Sequence, residues 1–252
     1  MTPGRIVALG IGIPLAMIII GSIAVNEIAL AAQASYPVRL DLPVHGPTVT
    51  IAVGSGRLRV GPAAGDRLQL TGTAHYSIAR SRVTWSSTAS GVSVNSQCRF
   101  PIGPCSFDYL IAVPTGRRAV ISDDEGDMTL RGLAGPVHAD LDSGNVRASG
   151  LSGAVTIEDN SGDITVTGLT SPQVTAADDS GDITLTFTGV PDRVLVSDQS
   201  GDVRLVLPRG STFYRVSART SSGRTTVSVP HSLSAVHVIT VTDVSGDISI
   251  SQ

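Results

Sequence analysis

The feature that most constrains this chain is a strand-turn-strand unit, centred on a turn that usually reads Ser-Gly-Asp, which recurs to the last residue. The turn glycines of seven successive units are Gly126, Gly144, Gly162, Gly181, Gly201, Gly223 and Gly246. The residues seven and five positions before each glycine, and two and four positions after it, are apolar except at Thr225. Mostly polar residues separate them. This alternation with a period of two predicts two short strands per unit, each with one buried face.

The spacing of the units favours a solenoid. Successive turn glycines lie 18, 18, 19, 20, 22 and 23 residues apart, and the extra residues fall between units, not within the strand-turn-strand core. A fixed core with insertions on one side is typical of solenoids. We therefore expect an all-β fold, a β-solenoid or β-helix-like stack of two-strand coils about 4.8 Å apart, with like residues above like residues. The alternative is an antiparallel meander that closes into a sandwich or barrel, since each turn could also close a hairpin.

The aspartates that follow the turn glycines need a physical account. In a stack, Asp163, Asp182 and Asp202 would lie about 4.8 Å apart and repel one another. Solvation, hydrogen bonds from backbone amides or a bridging cation such as calcium would each offset this repulsion. Asn145 and Arg224 interrupt the row, and the dense ligand set of calcium-binding repeats is missing. We therefore assign no metal site.

An uncharged N-terminal segment bears on where the protein is located. Residues 6–25 carry no charge and, as a helix, would span about 30 Å, the thickness of a bilayer's hydrocarbon core. Arg5 precedes this segment and Glu27 follows it, which places residues 1–5 in the cytoplasm and the rest of the chain outside. We expect a single-pass cell-membrane protein with a transmembrane helix or uncleaved signal anchor. The alternative is secretion after cleavage at a small-residue motif within residues 29–34.

The rest of the chain divides into a linker and one β-repeat domain. Residues 26–47 are predicted to be the linker, of which residues 35–44 form a tether or a first edge strand. The repeat domain covers residues 48–252. Within it, residues 61–118 break the spacing of the units, and we expect them to enlarge the first coils or to cap that end of the stack.

The chain has two cysteines, Cys98 and Cys105, which we expect to form a disulfide. The six residues between them include two prolines and a glycine, which bend the chain. Export would bring both thiols into an oxidising compartment. Two free thiols are the alternative.

The run from Tyr109 to Gly116, Tyr-Leu-Ile-Ala-Val-Pro-Thr-Gly, precedes the repeated Ser-Gly-Asp-Ile units. This combination resembles the bacterial "putative adhesin" domain family, and the resemblance covers residues 48–252. That family has no assigned function, is expected to form β-solenoid-like stacks, and often follows a membrane segment. The resemblance implies an adhesin-like domain with surface exposure and a binding role, and it supplies no catalytic residues.

Charge and motifs argue against several classes of function. The net charge of −3 leaves no strongly basic face for a nucleic acid, so we expect no nucleic-acid partner. No hydrolase, zinc-protease, phosphate-loop or dinucleotide motif occurs, and we assign no catalytic residue and no cofactor. A polysaccharide-acting β-helix enzyme is the weaker hypothesis, because few aromatic residues are present to stack on sugars. Its groove would be lined by Asp123, Asp124, Asp159, Asp178, Asp179 and Asp198.

We expect instead a non-enzymatic binding, adhesion or structural module that meets a protein or glycan of the cell envelope. The predicted binding face is a row of outward strand residues: Thr129, Arg147, Thr165, Thr184, Arg204, Thr226 and Ser249. The alternative function is an accessory or sensory subunit of an envelope complex, which would act within its own membrane through residues 6–25.

Overall fold

The computed structural model describes residue 27, residues 29–99 and residues 103–252. The predicted cytoplasmic residues 1–5 and transmembrane helix 6–25 lie outside the described residues. In the part of the chain that is described, no helix is both long enough and apolar enough to span a membrane. The described residues form 21 strands in two sheets, one of 11 strands and one of 10.

In chain order the strands are β1 (Ala34–Pro43), β2 (Thr48–Val53), β3 (Gly56–Ala63), β4 (Arg67–Tyr76), β5 (Arg82–Thr88), β6 (Gly91–Gln97), β7 (Ser106–Pro114), β8 (Arg118–Asp123), β9 (Gly126–Arg131), β10 (Val137–Leu141), β11 (Val146–Ser149), β12 (Val155–Asp159), β13 (Ile164–Leu169), β14 (Gln173–Asp178), β15 (Ile183–Phe187), β16 (Arg193–Ser200), β17 (Val203–Val206), β18 (Tyr214–Ser222), β19 (Thr225–Val227), β20 (His237–Ser245) and β21 (Ile248–Ser251). Residues 34–43 of the predicted linker thus form β1, the edge strand that was one of the two interpretations of this segment.

Each repeat unit forms one coil with a strand in each sheet, as a solenoid requires. The strands on either side of the turn at Gly162, β12 and β13, do not pair with each other. Strand β12 pairs with β10 and β14, and β13 pairs with β11 and β15, all in parallel. The turn therefore joins two sheets and closes no hairpin. The predicted solenoid is confirmed, and the antiparallel meander is wrong.

The core lies between the two sheets and is built from the four apolar columns of the repeat. In the central coil, Val155 is 2% exposed, and Ile157, Ile164 and Val166 are fully buried. The parallel register places equivalent residues side by side, so that Val155 pairs with Val137 on one side and with Val174 on the other. Burial of these stacked side chains is the main force that holds neighbouring coils together.

The coils at the two ends of the stack do not follow chain order. The 10-stranded sheet has the order β18-β20-β16-β14-β12-β10-β8-β2-β6-β5, and the 11-stranded sheet has the order β1-β4-β7-β3-β9-β11-β13-β15-β17-β21-β19. The first coil, β2 and β3, therefore lies between the second and third. The last coil, β20 and β21, lies between the two coils that precede it in the chain. A connection that passes over the place of an intervening coil needs more residues. This explains why the spacings of 22 and 23 residues occur at the C-terminal end.

Antiparallel strands cover the N-terminal end of the stack. In one sheet β4 pairs with β7 and β1 pairs with β4, and in the other sheet β5 pairs with β6, all in antiparallel register. Cys98 and Cys105 form the expected disulfide, which closes the loop between β6 and β7. This loop stands where the other coils have their short turn.

A glycine column runs through the turns and fixes how closely the coils approach. A Cβ atom on Gly162 would overlap the carbonyl oxygen of Gly144, and a Cβ atom on Gly144 would overlap that of Gly126. The same contact recurs at every turn glycine of the repeat. Gly162 also has φ of 145°, which L-residues rarely adopt. Stacking therefore requires glycine at every turn of the repeat, and at Gly162 the backbone conformation requires it as well.

Candidate functional site

The predicted Thr/Arg row lies on the outer face of the 11-stranded sheet. Its residues occupy equivalent positions in successive strands and alternate with the buried positions of the core. In spatial order the row reads Thr129, Arg147, Thr165, Thr184, Arg204, Ser249 and Thr226. Ser249 stands between Arg204 and Thr226 because the last coil is inserted into the stack.

The row continues beyond Thr129 into the N-terminal coils. Arg59 pairs with Thr129, and Leu110 pairs with Arg59, which adds two positions that sequence reasoning missed. Nine positions at the strand spacing of about 4.8 Å make a row about 40 Å long. The parallel register places these positions at regular intervals, so an extended partner could contact them in succession.

Two shallow depressions lie at the N-terminal end of the row, and both are lined by Arg59 and Leu110. One has a volume of about 410 Å³ and is also lined by Thr129 and Arg131. The other has a volume of about 400 Å³ and extends to Asp108 and other residues of β3, β4 and β7. The Leu110 side chain is 59% exposed on a sheet face that is otherwise polar here. Leu110 therefore gives this end of the row an apolar contact beside Arg59.

The charged groups near this end are only loosely paired. An Nη atom of Arg147 lies 3.8 Å from a carboxylate oxygen of Asp127, and an Nη atom of Arg57 lies 3.9 Å from one of Asp108. Hydrogen bonds from the side chain and backbone of Asn145 lower the pKa of Asp127, and the charges of Arg147 and Arg57 add to this effect. At these distances, and with these side chains about half exposed or more, the guanidinium groups remain available to a partner.

The aspartates that follow the turn glycines form a hydrogen-bonded ladder. The carboxylate of Asp163 accepts the backbone N–H of Asp182 at 3.1 Å, and Asp182 accepts that of Asp202 at 2.8 Å. The ladder extends from Asp127 through Asn145 at one end and to Asp247 and Arg224 at the other. Backbone amides thus account for the alignment of these charges. Within the described residues, no cluster of three or more acidic, histidine or cysteine side chains has the geometry of a metal site.

A second aspartate column lies inside the solenoid, three positions before the turn glycine. Its members are Asp123, Asp159, Asp178, Asp198 and Asp243, each at most 5% exposed. In four of them one carboxylate oxygen accepts the N–H of the residue two positions later, as Asp178 does from Ser180 at 3.1 Å. The other oxygen of Asp159, Asp178 and Asp198 is buried without a partner, as are both oxygens of Asp123.

Burial perturbs the acidity of this column. Loss of solvation raises the pKa of Asp178 to about 7, and the stacked carboxylates of Asp159 and Asp198 add to the shift. Loss of solvation also raises the pKa of Asp123 to about 7 and raises the pKa values of Asp159 and Asp198. Of the six aspartates proposed to line an enzyme groove, Asp123, Asp159, Asp178 and Asp198 are therefore inside the fold, and only Asp124 and Asp179 are exposed. The predicted acidic groove does not exist in this form.

Comparison with protein families decides what kind of domain this is. Residues 48–251 match the model of the Toastrack DUF4097 domain, which has no assigned function. The chain belongs to the Toastrack family. The matched range begins at β2 and ends at the last residue of β21, so the Toastrack domain comprises all nine coils of the solenoid.

Two other comparisons add little about function. No curated protein matches the chain. Among solved structures, a "putative cell adhesion protein" from Clostridium sporogenes is similar, at 10% sequence identity and a TM-score of 0.43. The similarity covers 87% of this chain and 99% of that protein.

In the Toastrack domain the residues of the predicted binding row lie side by side, apart from the turn glycines and the disulfide. The row lies on one sheet face, the turn glycines lie along one edge, and Cys98 and Cys105 lie at the capped end. Sequence reasoning missed Arg59 and Leu110, although Arg59 lies one position after Leu58 in a unit that fits the repeat. Leu110 could not be found in this way, because its strand does not follow a Ser-Gly-Asp turn.

Proposed function

We propose that this Toastrack domain is a non-catalytic binding module that holds an extended protein or glycan of the cell envelope along the Thr/Arg row. The observation that carries the proposal is the row itself: nine aligned positions on one sheet face, with partly exposed hydroxyl groups, arginines, and Leu110 at one end. Such a face offers hydrogen-bond donors at a regular interval.

The proposal includes the location of the domain. Residues 6–25 would anchor the chain in the cell membrane with residues 1–5 in the cytoplasm, so that the solenoid faces the outside. The disulfide between Cys98 and Cys105 is consistent with an oxidising compartment. Protease treatment of intact cells should digest the domain if this topology is correct and should leave it intact if the domain is cytoplasmic. Secretion after signal cleavage would instead release the domain into the medium.

The direct test is photo-crosslinking in intact cells, with the crosslinker at Thr165 in the middle of the row. We expect capture of an extracytoplasmic protein or a wall glycan, identified by mass, and we expect Arg147→Ser with Arg204→Ser to reduce capture several-fold. The matched control is Arg193→Ser, an exposed arginine on the outer face of the other sheet. Capture of a protein from the same membrane would favour the accessory-subunit function. Capture that the double variant leaves unchanged would refute a role for the row.

A further inference from the structure

The C-terminal end of the solenoid is open. Its terminal coil consists of β18 and β19, and no described strand covers either one. In this coil the side chains of Val216 and Ala218 are only half-buried, and Val227 is 37% exposed. The equivalent residues of the terminal coil at the other end, Val92 and Val94, are at most 2% exposed. The apolar columns of the core therefore reach the surface at one end only.

The backbone of β18 is ready to accept another strand. Tyr214 donates its N–H to the carbonyl of Pro230 at 3.0 Å, and its own carbonyl accepts the N–H of Ser232 at 2.9 Å, on the side away from β20. Because backbone groups in a strand alternate in direction, the N–H and C=O groups of Val216, Ala218 and Thr220 also face away from β20. Only Tyr214, at the start of β18, is covered on this side, by the segment around His231. No described strand pairs with the rest of this edge of β18.

The terminal coil, β18 and β19, carries three arginines and no carboxylate side chain. Residues 203–242 contain five arginines and no aspartate or glutamate, in a chain whose net charge is −3. Arg215 and Arg219 lie on the outward face of β18, and neither has a salt bridge within the described residues. Arg224, in the adjacent turn, lies 3.8 Å from Asp247 and is 80% exposed. The free edge is thus flanked by two guanidinium groups, those of Arg215 and Arg219, that have no salt bridge within the described residues.

We propose that the free edge of β18 binds an acidic, extended polypeptide segment of a partner protein by adding it to the 10-stranded sheet as a further strand. The main chain of the partner would pair with Val216, Ala218 and Thr220. Its inward side chains, small and apolar, would cover Val216 and Ala218, and its outward side chains, acidic, would lie beside Arg215 and Arg219. Main-chain hydrogen bonds supply affinity in this type of recognition, and the alternate side chains supply specificity.

Charge selects this partner over a second copy of the chain. Two copies joined end to end through β18 would bring together the Arg215 and Arg219 side chains of both copies, and neither arginine has a salt bridge within the described residues. Charged residues at a sheet edge commonly prevent such self-pairing. An acidic strand meets no such repulsion, so the same arginines that exclude a second copy attract the proposed partner.

The test uses the full chain in detergent micelles and a fluorescent nine-residue peptide in which glutamate alternates with valine. Fluorescence anisotropy at low salt should show binding at least about tenfold tighter than that of the same peptide with lysine in place of glutamate. The difference should shrink as the salt concentration rises. Equal affinity for the two peptides, or no binding of the glutamate peptide, would refute the proposal.

Two variants separate the backbone from the charges. Ala218→Pro removes one N–H from the free edge, where proline is tolerated, and should abolish binding without a loss of the β18–β20 ladder. Arg215→Glu with Arg219→Glu should reverse the preference toward the lysine peptide, whereas Arg193→Glu on β16 should leave it unchanged. Binding to anionic lipid vesicles that survives Ala218→Pro, without peptide binding, would assign the arginines to a membrane instead. Concentration-dependent dimers that Ala218→Pro abolishes would identify a second copy as the occupant.

Discussion

The two ends of the solenoid bury the same kind of residue to different extents. At the N-terminal end, strands β1, β4 and β5 cover the terminal coil, and its Val92 and Val94 are buried. At the C-terminal end, the equivalent Val216 and Ala218 are half-buried because nothing described lies beyond them. The two pairs of residues occupy the same core-facing positions of their strands. Burial in a solenoid is therefore set by what covers a coil as much as by the residues of the coil itself.

We expect the largest effect on stability from substitutions in the glycine column, where the middle of the stack can be compared with its open end. Gly162→Ala places a Cβ atom against the Gly144 carbonyl in a coil with neighbours on both sides, and we expect a loss of about 3 kcal/mol in the free energy of unfolding. Gly223→Ala makes the same contact with Gly246, but its coil can move outward, and we expect a loss of about 1 kcal/mol. Urea unfolding of both variants measures the difference. Equal losses would show that the open end is held as tightly as the middle.

Removal of the disulfide tests whether the capped N-terminal end is stabilised independently of the open end. Replacement of Cys98 and Cys105 by serine removes the cross-link of the loop between β6 and β7, and we expect a loss of about 2 kcal/mol. Amide hydrogen exchange should become faster in β5, β6 and β7, whereas β18 to β21 should exchange as in the wild type. Reduction of the wild-type protein is the control and should reproduce the effect. Faster exchange along the whole stack would mean that the two ends are not independent.

The smallest effect concerns the buried aspartates, which five of the inner coils contain and the two terminal coils lack. An aspartate in an unfolded chain has a pKa of about 3.9, and burial raises the pKa of Asp178 to about 7. Between these values the folded protein retains a proton that the unfolded chain releases. Stability therefore falls as the pH rises from about 4 to about 7 and is constant above that.

Asp178→Asn removes this titration and keeps an oxygen for the Ser180 N–H, while its new amide group can donate to the unpartnered oxygens of Asp159 or Asp198. We expect the variant to be about 1 kcal/mol more stable than the wild type at pH 8, with a shallower loss of stability between pH 5 and pH 7. Asp179→Asn, at an exposed position in the same turn, is the control and should keep the wild-type slope. A wild-type slope in Asp178→Asn would contradict the role of burial.

The fold could be predicted from the sequence because the repeat specifies it redundantly. Four apolar columns and a turn glycine recur in seven units, so the strands, their buried faces and the row from Thr129 to Thr226 all follow from one alignment. The insertion of the last coil between its predecessors does not follow from these columns, because every coil presents similar apolar columns to its neighbours. Its one trace in the sequence is the length of the connections on either side of Gly223.

The buried aspartate column was missed for a different reason. Asp178 and Asp179 are adjacent and chemically alike, and a turn rich in aspartate indicates an exposed position. Their positions in the strand alternation distinguish them. Asp178 lies two positions after Ala176 and four after Val174, and both of these residues face the core. The alternation that identified the strands thus extends one residue further into the turn than composition suggests.

The position of the last coil also bears on how the protein is made. During synthesis, the units from β8 to β17 can stack as they emerge, because each new coil lies on the one before it. Strands β18 and β19 have no neighbour at that stage, since their partners β20 and β21 follow them in the chain. The coil formed by β18 and β19 can therefore join the stack only after β20 and β21 have been synthesised.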